Sequence, residues 1–234
     1  TGLPRSGTTL IMNMLYQTNE FASLTYNDMP FVMSPNFWNK ISIGNKNLDK
    51  NKERAHKDNV SINFDSPEAL DEVFWRVKLK NKYILKDKLL NHTVEDNLIK
   101  SYKKYVSLIL HKYNKNNYLS KNNNNLLRLD SIIKTFPNCI ILIPFRDPIQ
   151  QANSLLNQHI NFSNLQKEDS FARKYMSYLA HFEFGIDHKP FDFSAKTNTH
   201  NKESLEYWIE HWLNTYNYLL QNKYHKNKNI FFIN

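Results

Sequence analysis

The first ten residues, Thr1-Gly2-Leu3-Pro4-Arg5-Ser6-Gly7-Thr8-Thr9-Leu10, set two glycines, an arginine and several hydroxyl side chains just ahead of an apolar helical pattern. Leu10, Ile11, Met14 and Leu15 fall on one side of that helix. A glycine-containing turn entering a helix presents unpaired backbone N–H groups at the positive end of the helix dipole. Such a turn is a site for a phosphate or a sulfate. Arg5 adds a fixed charge and a fork of donors, and Ser6, Thr8 and Thr9 add hydroxyls. The plainer alternative is an ordinary glycine turn leading into a helix.

A second group of chemistry-bearing residues follows the apolar run 139–143, which predicts a buried strand. Arg146 stands at the end of that strand, Asp147 is a helix cap, and Pro148 takes the first helical position. Ser154 lies about two turns beyond Asp147, on nearly the same face. An arginine and a hydroxyl beside one helix suit a phosphate. Pairing of Arg146 with a neighbouring carboxylate is the alternative.

The opening loop has the glycine spacing of the Walker A motif, G-x-x-x-x-G-K-[ST], but Thr8 stands where the lysine belongs and the positive charge sits at Arg5. That disfavours an ATPase. The run Pro4-Arg5-Ser6-Gly7-Thr8-Thr9 instead resembles the 5′-phosphosulfate loop of the sulfotransferases, which use 3′-phosphoadenosine-5′-phosphosulfate (PAPS). Its arginine form is similar to the tyrosylprotein sulfotransferases and related bacterial enzymes. The strand–Arg146-Asp147-Pro148–helix unit with Ser154 resembles the 3′-phosphate site of the same family.

The resemblance implies roles for three more residues. Asp28, in Tyr26-Asn27-Asp28-Met29-Pro30, occupies roughly the region of the family's glutamate base. It reads equally as a turn residue before a proline. His56 is a second base candidate, because cytosolic members use a histidine; a surface histidine is its plainer reading. Tyr118-Leu119-Ser120 reads as a short strand that delivers Lys121 to its C-terminal end, where ligands bind in open α/β sheets. Family members carry a similar lysine, followed there by an acidic residue and proline rather than by Asn122-Asn123-Asn124. Lys121 would steady the departing oxygen, or else be simply solvated.

The elements that must position these residues are helical stripes and short strands. Ser66-Pro67 reads as a helix start, and Leu70, Val73, Phe74 and Val77 predict an amphipathic helix over 67–79. Leu98, Tyr102, Tyr105, Val106, Ile109 and Tyr113 form another stripe. Leu205, Trp208, Ile209, Trp212, Leu213, Tyr216, Leu219 and Leu220 form the clearest one, with its tryptophans read as core. Residues 19–39 are aromatic and irregular, 44–61 a polar loop, and 229–234 a strand. The alternation predicts an α/β fold, three layers in the P-loop-like manner with a central parallel sheet flanked by helices.

At 234 residues, 1–234 is expected to be one sulfotransferase-like domain, and the chain reads as truncated at both ends. The single cysteine, Cys139, excludes an intrachain disulfide framework and a cysteine-based zinc cage. A net charge of +9 suits an anionic ligand, but much of the excess lies in Lys/Asn tracts, so nucleic-acid binding is not expected. No apolar run reaches membrane-spanning length. The expected activity is transfer of a sulfuryl group from PAPS, without a metal, to an acceptor hydroxyl on tyrosine, a sugar or a small alcohol. The rivals are a nucleotide kinase and a non-catalytic protein that binds PAP (the 3′,5′-bisphosphate product) or polyanions. A cytoplasmic location is expected, or a secretory-pathway lumen if an N-terminal anchor exists.

Overall fold

Four short parallel or antiparallel strand pairs and a set of longer helices make up this α/β protein, described by a computed structural model over residues 1–37, 52–53, 61–193 and 198–234. The strands are β1 (Phe21–Ala22), β2 (Lys52–Glu53), β3 (Ser61–Ile62), β4 (Leu89–Leu90), β5 (Asn117–Tyr118), β6 (Ile141–Pro144), β7 (Phe191–Asp192) and β8 (Ile230–Ile233). The helices are α1 (Thr8–Gln17), α2 (Glu72–Lys78), α3 (Asp96–Tyr113), α4 (Leu129–Thr135), α5 (Pro148–Glu168), α6 (Ser170–Tyr178) and α7 (Leu205–Gln221). The pairs β1–β5, β4–β7 and β6–β8 are parallel, as expected of an α/β chain, and β2–β3 is antiparallel. The described chain divides into two compact units.

The first unit comprises Thr1–Thr8, Leu79–Val94 and Asn123–Asn234. Its core gathers Leu3, Leu126, Leu127, Ile143 and Leu219, all at 0% exposure, around the β6–β8 ladder. The ladder runs Ile141 opposite Ile230 through Pro144 opposite Ile233. Helix α5 starts as its sequence dictates: the Asp147 side chain accepts from Gln150 N (2.9 Å) and Pro148 occupies the first turn. Helix α7 is capped by Ser204 and buries Trp208, Tyr216 and Leu219, while Leu213 and Leu220 of the expected stripe stay exposed.

The second unit comprises Thr9–Lys78 and Glu95–Asn122. Its core is aromatic: Phe74, Trp75, Tyr102 and Tyr105 pack ring against ring at centroid distances of 4.3–5.3 Å for the closest pairs. Of the α3 stripe Tyr102, Tyr105, Val106 and Ile109 are buried, joined by Ile99, while Leu98 and Tyr113 are half-buried. Two expectations shift. Helix α2 begins at Glu72 and not at Pro67, because residues 66–68 pair with 24–26 instead: Tyr26 N donates to Ser66 O and Glu68 N to Leu24 O. Backbone pairing to a distant segment outweighs a local capping signal there. Trp75 consequently replaces the exposed Val77 in the core. On α1 the buried apolar residue is Met12, while Leu10 and Met14 of the expected apolar side are exposed.

Asp28 ties the second unit together. In the 3-10 turn Tyr26–Phe31 its Oδ2 accepts from Thr25 N (2.8 Å) and Tyr113 OH (2.7 Å), and its Oδ1 accepts from Lys112 Nζ (2.6 Å). Asp28 is fully buried and the Lys112 side chain is 7% exposed. Removing one partner of such a pair strands a buried charge. Asp28→Asn should therefore destabilise the protein by about 3–5 kcal/mol, measured by urea unfolding.

In the first unit His159, His188 and His211 surround Trp208, with ring centroids 4.8–6.0 Å from the indole. Burial holds all three below the ordinary histidine value, His159 and His211 at about 4. The nearby Lys202 pushes His159 the same way, as His211, His159 and Lys202 do for His188. The unfolded chain therefore binds more protons than the fold once the pH drops below about 6.5. Stability should be full above that pH and fall towards pH 4, by up to about 1.4 kcal/mol per pH unit for each ring. Urea midpoints measured from pH 7.5 down to 4.5 would check this; an unchanged midpoint would contradict it.

Candidate functional site

In the first unit the opening loop starts beside β6. Thr1 N donates to Leu142 O (3.0 Å), and a Cβ on Gly2 would crowd Pro144 O at 3.2 Å, on a backbone φ of 157° that also favours glycine. Leu3 is wholly buried, and Gln151 Nε2 of α5 donates to Pro4 O (2.9 Å). Trp212 Nε1 in turn donates to Gln151 Oε1 (3.0 Å), fixing the amide that holds the loop. The Ser6 hydroxyl, expected to face an anion, instead donates to Leu3 O (2.7 Å) and braces the loop from within.

The loop then turns sharply. Arg5 has φ 66° and Gly7 φ 96°, both left-handed, and Gly7 is there for its φ, since a Cβ would meet nothing within 4 Å. Thr8 begins α1, and the helix carries no acidic residue in its first turn. Its leading N–H groups lack intrahelical acceptors by geometry and mark the positive pole of the helix dipole.

The same loop meets the strand–helix unit downstream. Arg5 Nε donates to Ser154 Oγ (3.0 Å), and Arg146 Nη1 donates to Arg5 O (3.3 Å). The structure thus brings Arg5, Arg146 and Ser154 into one cluster, with the two segments nearly 150 residues apart in sequence. Arg146 is exposed, and among the described residues it makes no ion pair; Asp147, its neighbour, is committed to the α5 cap. Ser154 accepts from Arg5 and so keeps its own O–H to give to another acceptor. Two guanidinium groups and a hydroxyl donor form a basic cluster in this unit, able to take an anionic oxygen group.

In the second unit Lys121 lies beyond β5, which spans Asn117–Tyr118 and not 118–120; Leu119 N still donates to Ala22 O (2.8 Å) and extends the pairing with β1. Its two neighbours are both fastened. Ser120 Oγ donates to Asp71 Oδ2 (2.5 Å) and Asn122 Nδ2 to Glu72 Oε2 (2.6 Å). Asp71 and Glu72 are almost wholly buried at the start of α2, and Tyr102 OH also donates to Asp71. The Lys121 side chain is 15% exposed, with Nζ 4.0 Å from Glu68 Oε1. It is not an ordinary solvated lysine.

Of the two base candidates, Asp28 has both oxygens taken by Thr25, Tyr113 and Lys112, as described above, and His56 lies outside the described residues. Sequence reasoning missed Glu68, Asp71, Glu72 and Gln151. No local pattern marks them, since each acts on a partner roughly 50 or more residues away. Among the described residues no group of three or more His, Cys, Asp or Glu side chains is placed to hold a metal ion, and no helix is long and apolar enough to cross a membrane.

Comparison with known proteins returns one match, and it agrees with this geometry. No curated protein and no solved structure matches the chain. A model of the sulfotransferase family matches residues 1–232, which takes in the opening loop, the Lys121 segment and the Arg146–Ser154 unit. The chain belongs to the sulfotransferase family.

Proposed function

We propose that this protein is a PAPS-dependent sulfotransferase that moves a sulfuryl group onto an acceptor hydroxyl, and that residues 1–234 act as one sulfotransferase-like domain. The observation that carries the reading is the cluster of Arg5, Arg146 and Ser154. PAPS supplies an activated sulfuryl group and is left as PAP. Arg5, Gly7, Thr8 and Thr9 hold the 5′-phosphosulfate through the guanidinium, the hydroxyls and the backbone N–H groups, while Pro4 and Ser6 keep the loop in shape. Arg146 and the free hydroxyl proton of Ser154 hold the 3′-phosphate. That second grip distinguishes PAPS from ATP, which has no 3′-phosphate. Lys121 steadies charge on the oxygen that leaves sulfur. Catalysis on this reading is positioning and charge stabilisation, with proton removal from a hydroxyl on tyrosine, a sugar or a small alcohol.

A nucleotide kinase would need Asp147 to face a divalent cation, but its Oδ1 accepts from Gln150 N as the α5 cap. The two readings separate on ligand preference: PAP should raise the melting temperature and ADP should not. Transfer of labelled sulfate from PAPS to a panel of tyrosine peptides, sugars and simple alcohols tests the reaction itself. PAP binding without any transfer would mark a non-catalytic nucleotide-binding protein.

Arg146→Ala should weaken PAP binding by about 1.5–3 kcal/mol, the scale of a charge-assisted hydrogen bond, as read by calorimetry. Unchanged affinity would remove Arg146 from the 3′-phosphate site. Ser154→Ala should act in the same direction with a smaller loss, about 1 kcal/mol, because a neutral donor is removed and Arg5 stays in place.

A further inference from the structure

A carboxylate that no motif announces stands opposite Lys121. Glu68 Oε1 is 4.0 Å from Lys121 Nζ, and Glu68 Oε2 accepts from Tyr26 OH (2.7 Å). The backbone under it is fixed, because Glu68 N donates to Leu24 O (3.0 Å) in the pairing of 66–68 with 24–26. Ala69 N donates to Oε1 (2.7 Å), which sets the carboxylate plane. Both the Glu68 and Lys121 side chains keep 15% exposure, whereas Asp28 has none.

We propose that Glu68 is the general base of the sulfuryl transfer, an inference that rests on the sulfotransferase reading and on Lys121 facing the departing oxygen. In an in-line displacement the entering and leaving oxygens flank one sulfur, so the base and the leaving-group cation must lie within several ångströms of each other. Glu68 meets that condition, and it is open enough to reach a hydroxyl from outside the fold. A carboxylate with no exposure, ion-paired to Lys112, is closed to one.

The step balances on this chain's own groups. Glu68 takes the proton as the acceptor's O–H bond breaks, and the freed electron pair on that oxygen forms the new bond to sulfur. The electron pair of the broken sulfur–oxygen bond departs on the oxygen beside Lys121. The proton on Glu68 passes to water once the sulfated acceptor has left. Tyr26, donating to Oε2, is a positioning residue that holds the carboxylate towards the lysine.

The test compares the full chain with Glu68→Gln, Glu68→Asp and Glu68→Ala, using labelled PAPS with the best acceptor of the panel and calorimetry with PAP. Glu68→Gln should lower kcat at least about 100-fold, the usual yield of general-base catalysis, and leave PAP affinity within about twofold. The acidic limb of the kcat/KM profile should vanish from its residual activity, and added formate should restore turnover to Glu68→Ala. Glu68→Asp keeps the charge and shortens the reach, so it should fold, bind PAP normally and lose roughly tenfold in kcat. Turnover of Glu68→Gln within about threefold of wild type, or PAP affinity falling in step with kcat, would overturn the assignment while leaving the sulfotransferase reading intact. A wild-type chain that binds PAP but transfers sulfate to no acceptor would overturn both.

Discussion

Strand β6 is held from both sides, and the anion site follows from that. On one side it pairs in parallel with β8 along its whole length, from Ile141 to Pro144; on the other, Thr1 N donates to Leu142 O and Gly2 lies against Pro144. Buried backbone groups must be paired, so a strand at the centre of the Leu3, Ile143 and Leu219 core has little freedom to slide. Its end point is therefore fixed, and two segments meet beside that end. One is the opening turn with Arg5; the other carries Arg146 into the Asp147 cap. Tyr216 OH donates to Pro144 O (3.1 Å), which anchors the same end from α7.

Two arginines placed this close repel each other unless something negative joins them. The fold takes part of the load itself: Arg146 donates to the carbonyl of Arg5, and Arg5 donates to Ser154. These are neutral acceptors. They satisfy donor geometry without cancelling charge, and the one carboxylate in the segment, Asp147, is spent on a helix cap. A sulfate or phosphate bound at this cluster would relieve the repulsion between the two guanidinium groups.

What the sequence made legible was local. Asp147-Pro148 starts α5 because a cap and a fixed φ act within a few residues, and the middle of the α3 stripe, Tyr102 to Ile109, is buried because its spacing is set by the helix itself. Ser66-Pro67 carried the same kind of signal and did not start a helix, since residues 66–68 found strand-like partners at 24–26. The exposed side of α1 shows the same limit: Leu10 and Met14 have the spacing of a core stripe, yet Met12 is the apolar residue that is buried. For the site, Arg5, Arg146 and Ser154 were readable as types at suitable spacing, but their direct contact was not. The parts around Lys121 were invisible, because Asp71 and Glu72 look like an acidic start to an amphipathic helix.

That acidic pair also explains why a lysine so poor in local signals stands where it does. A single hydrogen bond to one neighbour would let the backbone of residue 121 rotate about it. Ser120 is fastened to Asp71 and Asn122 to Glu72, so the peptide units on both sides of Lys121 are tied to one helix start. Burying two carboxylates is costly, and the cost is met by charge-assisted donors, with Tyr102 sharing Asp71. A merely solvated lysine would have no use for such anchors. The Asn122-Asn123-Asn124 run fits the same logic: Asn122 supplies the donor that Glu72 needs, whereas an acid at that position would face a buried carboxylate.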